Sequence, residues 1–314
     1  MPPLSNSTPS ANVLEVRPAR PSELTPAISI LLAGIENRAS RDQVQTFLTM
    51  AGQRGLDLED LWVAVRDGRI DWAMLPVVSP GRTMLLLSPP MLPSQVTDAP
   101  IAAVLQGACT AHQQHGVELA QLLLDPAAST LRQAYVRQGF SELAELIYLQ
   151  RDVTKLPSVP PLPRSMAIEN YSASTHQLFK QTIARSYEHS LDCPGLSGMR
   201  DMEDVLIGHK GGNEFDPSLW FLLTENQEPR GILLLGTASH ANALELVYLG
   251  LTPEARGKGL GDALMNLALV SVMRHSRAEL TLAVDSHNTP AVNLYFRHGL
   301  RRIGSRAALV RKLG

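Results

Sequence analysis

Between residues 249 and 264 the chain reads LGLTPEARGKGLGDAL, and no other stretch limits its fold so tightly. An apolar, strand-like run enters the segment and an amphipathic helical pattern leaves it, with Gly257, Gly259 and Gly261 in the turn between. Alternate glycines clear side chains from a backbone that must curl around an anion, and the amides that open the helix point toward that anion. Arg256 and Lys258 add positive charge. On a plainer reading the glycines make only a tight strand-to-helix turn and the two cations face solvent. The dinucleotide pattern G-x-G-x-x-G fails, because Asp262 or Leu264 stands at its last position in the two possible registers, and G-x-x-x-x-G-K-S/T is absent from the segment.

With 314 residues the chain is long enough for two domains of ordinary size, each with its own core. Residues 152–166 read DVTKLPSVPPLPRSM, and prolines at 157, 160, 161 and 163 make this a stiff, extended strip. The expected division is a disordered leader over 1–12, a domain over 13–153, a linker over 154–165 and a second domain over 166–314. In the first domain, strands are expected at 13–18, 61–66, 69–77, 82–87, 117–123 and 145–149, with helices at 24–35, 42–52, 99–115 and 129–138. Asp67-Gly68 supplies the hairpin turn. In the second, strands at 166–170, 219–224, 230–235, 244–251, 279–284 and 307–312 alternate with helices at 174–187, 260–275 and 290–296. The similar order suggests duplication, as does the likeness of AYVRQGF at 134–140 to LYFRHGL at 294–300.

Lys and Arg total 28 against 30 for Asp and Glu, so no global field gathers nucleic acid or an anionic membrane. The apolar runs are too short or too interrupted to span a bilayer. Cys109 and Cys193 are too far apart for a metal knuckle and too few for a disulfide scaffold. The expectation is a cytoplasmic protein with no metal site.

The order strand, R-x-x-G-x-G, helix, strand, N-x-x-A-x-x-L-Y-x-x-x-G resembles the GNAT N-acetyltransferase superfamily, its second motif formed by Asn288, Ala291, Leu294, Tyr295 and Gly299. The resemblance implies an α/β fold of two tandem GNAT-like acyl-CoA N-acyltransferase domains, each a mixed, mostly antiparallel sheet flanked by helices. It implies acetyl-coenzyme A as acyl donor and a small-molecule or peptide amine as acceptor. By the same resemblance Arg256, Gly257, Lys258, Gly259, Leu260 and Gly261 bind pyrophosphate, and Asn288 lies beside pantetheine. Backbone of the strand from Leu249 to Leu251 stabilises the oxyanion, and Tyr295 protonates the departing thiolate. Leu300 replaces a phenylalanine common in relatives.

Glu245 stands where some relatives carry a general base, and a solvent-facing strand residue is the equal alternative. Tyr187, Glu188 and Asp192, with His189 and Asp201 nearby, lie where relatives close the acceptor cleft, although such a mixture also suits a surface loop. Direct transfer needs no covalent intermediate on Cys193. The first half has SPPMLPSQVTDAP in place of the glycine loop and no asparagine before Tyr135, so it is expected to be a degenerate copy. A catalytically silent acyl-CoA sensor or an interaction module on the same fold is the alternative function.

Overall fold

The computed structural model describes residues 13–34, 36–92, 97–155, 163–211, 215–237 and 242–314. The expected leader, and the proline-rich centre of the expected linker at 156–162, lie outside the described residues. The chain forms two compact units, the first made mainly of residues up to Phe140 and the second of Ser141–Lys312 together with Val78–Thr83.

The first unit opens with β1 (Glu15–Pro18), α1 (Leu24–Ala33), α2 (Arg41–Gln53), β2 (Trp62–Arg66) and β3 (Arg69–Ser79). β4 (Thr83–Leu87), α3 (Ala99–Gln114), β5 (Leu119–Leu124) and α4 (Ser129–Arg137) follow. Asp67 and Gly68 both take positive φ, 49° and 76°, which matches the twist of the β2/β3 hairpin. Ser40 starts α2 by accepting from the Gln43 amide at 3.1 Å while the Gln43 side chain accepts from the Ser40 amide at 2.7 Å. Apolar residues of α1, α2, β2 and β3, among them Ile28, Phe47, Val63 and Leu75, share one core.

The second unit contains β6 (Ser141–Asp152), β7 (Met166–Asn170), α5 (His176–Ser186), α6 (Met202–Gly211), β8 (Trp220–Glu225) and β9 (Glu228–Thr237). It continues through β10 (Ala243–Leu251), α7 (Leu260–Arg274), β11 (Glu279–Asp285), α8 (Thr289–Arg297) and β12 (Arg301–Lys312). Its strands run in the order β12-β6-β11-β10-β9-β8-β7. β10 and β11 pair in parallel, and the other neighbours pair antiparallel. One apolar face carries α7 and α8, with Leu244, Leu246, Leu264, Leu269 and Leu282 in a common core. On the other, Phe179 of α5, Leu206 of α6 and Trp220 of β8 pack together.

Two differences from the sequence reading matter. The strand expected to close the first domain is β6, which is longer than foreseen and lies in the second unit between β11 and β12. Ile147 and Leu149 alternate into the core beneath α7, and this burial fixes where the strand belongs. α6, a stretch to which the sequence assigned no element, is a helix whose Val205 and Leu206 find apolar partners in α5 and β8. The echo between halves is structural as well. α4 and α8 both end on a left-handed glycine, Gly139 at φ 86° and Gly299 at φ 77°, and the next amide donates back to Tyr135 or Tyr295.

Candidate active site

The cleft follows from a local failure of strand pairing. β10 and β11 are in register from Ala243↔Glu279 to Leu246↔Leu282, after which both strands continue unpaired to each other. At that point β10 carries a bulge against β9, between Leu246 and Tyr248. The extra residue bends the strand. The edge of β10 that holds Leu249 and Leu251 is thereby parted from β11, and a cleft of about 620 Å³ opens between them, bounded by α8 and the start of α7.

Gly250 permits that bend for a steric reason. A Cβ there would stand 2.5 Å from Tyr248 Oη and 2.7 Å from Ser186 Oγ. The Tyr248 ring lies across the glycine, and its hydroxyl shares a 2.7 Å hydrogen bond with Ser186 at the end of α5. Burial pushes the Tyr248 phenol above its usual range.

In the loop before α7, Gly257 and Gly259 have φ of 73° and 77°, and a Cβ on either would meet nothing within 4 Å. Glycine is required here by conformation, not by space. Gly261 differs, since a Cβ would lie 3.1 Å from Leu294 and separate α7 from α8. Among the described residues the amides of Gly257, Lys258, Gly259, Leu260 and Gly261 form no hydrogen bond, and Gly259 caps α7 without a side chain. Successive free N–H groups at a helix start form an anion site. The Lys258 side chain is exposed and lies outside the cleft lining.

Arg256 has a structural task beside its charge. Its guanidinium donates to the carbonyls of Glu188, Ser186, Leu251 and His189 at 2.7, 2.9, 3.2 and 3.3 Å. Three of these carbonyls belong to the C-terminal end of α5 and the turn after it, where helical acceptors are left over. Arg256 therefore ties α5 to the loop. Arg256 also lines the cleft, and its carbonyl partners, being neutral, leave its positive charge beside the loop.

On the far wall, Asn288 caps α8 by accepting from the Ala291 amide at 3.4 Å and faces the cleft. Tyr295 also lines it and is 5% exposed. Its hydroxyl forms no hydrogen bond among the described residues. Burial, and then the Asp192 charge, push its pKa up, so it carries its proton at neutral pH.

The acceptor candidates separate. Asp192 lines the cleft with His189, Ser190 and Leu191, whereas Tyr187 packs edge-on against Tyr248 and the Glu188 side chain is exposed. Asp192 Oδ1 accepts from the Asp285 amide, and Asp285 Oδ2 accepts from the Cys193 amide, both at 3.3 Å. Glu245 is on β10 but outside the cleft lining. Burial pushes the Cys193 thiol up to about 12, which leaves it a poor nucleophile. No metal-binding group occurs among the described residues. Ser186, Tyr248 and Asp285 escaped the sequence reading; the Y-x-G spacing of Tyr248 and Gly250 was the available signal.

A splayed parallel pair beside a glycine loop at a helix start defines the GNAT class. Residues 183–300 match the model of the Acetyltransferase (GNAT) family, and the second unit is a GNAT domain. Among curated relatives, the mycothiol acetyltransferase of Actinosynnema mirum is 29% identical over 167 residues, 53% of this chain and 54% of that one. That of Geodermatophilus obscurus is 26% identical over 185 residues, 56% and 58% of the two chains. The chain thus spans about half the length of the curated relatives it matches. A solved GCN5-related N-acetyltransferase from Sphaerobacter thermophilus superposes with a TM-score of 0.61 at 16% identity over 96% of each chain, so the likeness of fold extends over both halves of the sequence.

Proposed function

We propose that the second unit is an N-acetyltransferase that moves the acetyl group of acetyl-coenzyme A to a primary amine by direct attack. One observation carries this reading: Gly257, Gly259, Leu260 and Gly261, whose amides are free among the described residues, and the buried side chain of Tyr295 border the same cleft between parted strands. The loop amides suit a pyrophosphate, and Asn288 and the β10 edge suit the arm that leads to the thioester. Acetyl-coenzyme A supplies the activated acyl group. Backbone N–H groups on the free edge of β10, at Leu249 to Leu251, are suited to hold the oxyanion. Tyr295, kept protonated by burial, gives its proton to the sulfur as the C–S bond breaks.

The relatives named mycothiol acetyltransferase make a mycothiol-related amine the first acceptor to test. Cys109 and Cys193, neither of them in a disulfide, support a cytoplasmic setting. The first unit, where the Tyr135 hydroxyl is held by Ser88 at 2.5 Å, is read as a degenerate copy without a coenzyme A loop.

Release of free thiol from acetyl-coenzyme A across an amine panel tests the activity. In Tyr295→Phe the ring and its packing remain, so coenzyme A affinity should hold while the chemical step falls about 10²–10⁴-fold. Single-turnover rates equal to the parent's would make Tyr295 a packing residue.

A further inference from the structure

We propose that Arg200 is a positioning residue for acetyl transfer: by locking α6 against the turn at 79–82, it holds the Tyr248 ring over Gly250 and so sets the free edge of β10. The proposal rests on the acetyl-transfer reading above. The turn comes from far earlier in the chain, yet Val78–Thr83 belong to the second unit. Gly81 has a φ of 80°, and a Cβ there would collide with the Asp204 carbonyl oxygen and stand 2.9 Å from the Gly208 amide nitrogen. A Cβ on Gly208 would lie 2.8 Å from Arg200 Nη2, and one on Gly211 would collide with the Pro80 ring. Turn and helix meet backbone to backbone, a contact that only glycine allows at these points.

Arg200 fastens that contact. Its Nη2 donates to the Gly81 carbonyl at 2.9 Å and to the Asp204 carbonyl at 2.7 Å, so one nitrogen joins the turn to the start of α6. Hydrogen bonds from a cation are the strong kind. Arg82 adds a looser ion pair to Asp204 at 3.8 Å. The helix has little else to fix it here, since Val205 and Leu206 are its buried residues. Its pair from Glu203 to Lys180, at 3.0 Å, is open to solvent and worth little. Lys210 donates to the Tyr171 hydroxyl at 2.7 Å, which ties the far end of α6 to the residue after β7.

From α6 the contact reaches the cleft in two steps. His209 follows Gly208 and stacks face-on against the Tyr248 ring at 5.5 Å and 26°. Tyr187 meets the same ring edge-on at 5.6 Å, and Ser186 Oγ shares a 2.7 Å hydrogen bond with its hydroxyl. The ring gripped in this way lies across Gly250, in the middle of the segment whose backbone is suited to hold the oxyanion. β10 is bulged against β9 there and no longer paired with β11, so its course depends on what presses on it. A displacement of about 1 Å in a reacting site costs up to about 10²-fold in rate.

The test uses the full chain and four variants, each checked for folding by its melting curve. Arg200→Met keeps an apolar stem and removes both hydrogen bonds, whereas Arg200→Lys keeps a charged donor. Gly81→Ala opens the same contact from the turn, and Lys210→Met removes a tie of α6 that does not pass through Arg200. Hydrogen exchange is followed by NMR at the Gly250 amide, opposite Ile232 of β9. It should quicken roughly 10–100-fold in Arg200→Met and Gly81→Ala, the factor that hydrogen bonds to a charged group contribute to a local opening, and return toward the parent in Arg200→Lys. Coenzyme A affinity, measured by calorimetry, should hold. With acetyl-coenzyme A and ethanolamine as the probe amine, the single-turnover rate should fall by up to about 10²-fold in Arg200→Met and Gly81→Ala, and far less in Lys210→Met. Should Arg200→Met not fold, Gly81→Ala and Arg200→Lys carry the same comparison. A parent that binds coenzyme A but acetylates neither ethanolamine nor any amine of the panel would refute the acetyl-transfer reading, and exchange at Gly250 would then decide alone whether Arg200 sets β10. Parent-like exchange in a folded Arg200→Met, an equal rate loss in Lys210→Met, or a fall in coenzyme A affinity that matches the fall in rate would overturn the role of Arg200.

Discussion

Replacing His209 by phenylalanine isolates a pH dependence of folding that is built into α6. The His209 side chain is half-buried, stacks on Tyr248 at 5.5 Å and 26°, and holds a buried Nε2 without a partner among the described residues. Burial, and then the nearby Arg200 charge, hold its pKa down to about 4 from an ordinary 6.5. As pH falls, the unfolded chain binds this proton first. Stability is therefore complete above 6.5 and drains away between 6.5 and about 4. At about 1.4 kcal/mol per pH unit, the loss is about 2 kcal/mol at pH 5 and roughly 3 kcal/mol once both forms are protonated. Phenylalanine keeps the stacked ring and cannot take the proton. Urea unfolding of the full chain, read on the transition of the second unit from pH 7.5 to 5, should show the variant gaining on the parent by about that 2 kcal/mol. Parallel stability curves for the two proteins would refute a neutral His209.

Gly250→Ala should lower stability by about 1–3 kcal/mol, because the new methyl must drive Tyr248 off Ser186; an unchanged melting temperature would mean that the ring yields freely. Arg256→Gln leaves carbonyls at the end of α5 without their charged donor and should cost roughly 1–3 kcal/mol while weakening coenzyme A binding through the displaced loop. Calorimetry on the folded variant checks the second effect, and parent-like affinity would detach Arg256 from the site.

What the sequence disclosed best was whatever depends on neighbours along the chain. The Asp67-Gly68 turn and the β10–loop–α7 order each rest on a few adjacent residues. What stayed hidden depends on distant partners. Nothing local tells Arg256 to face the carbonyls of Ser186 and Glu188. α6 has little helical contrast of its own, and Val205 and Leu206 gain an apolar face to bury only when α5 and β8 are in place. Asp192 and Asp285 lie far apart in sequence, and only the fold joins them. Glu245, a strand carboxylate legible in the pattern, does not line the cleft.

The position of β6 also constrains how the protein can be made. Ser141 to Gln150 pair with β12, from Val310 back to Arg301, and the other edge of β6 pairs with β11. A fragment cut at the proline-rich strip would keep the glycine loop and Tyr295 but leave β11 and β12 with facing open edges, an invitation to aggregate. The cut that preserves this sheet falls before Ser141. During synthesis β6 is produced long before either partner, and such distant pairing is slow to form. An early strand must stay soluble and unpaired until residues 301–312 have been added, which makes the segment 141–152 the point at which a chaperone would matter most.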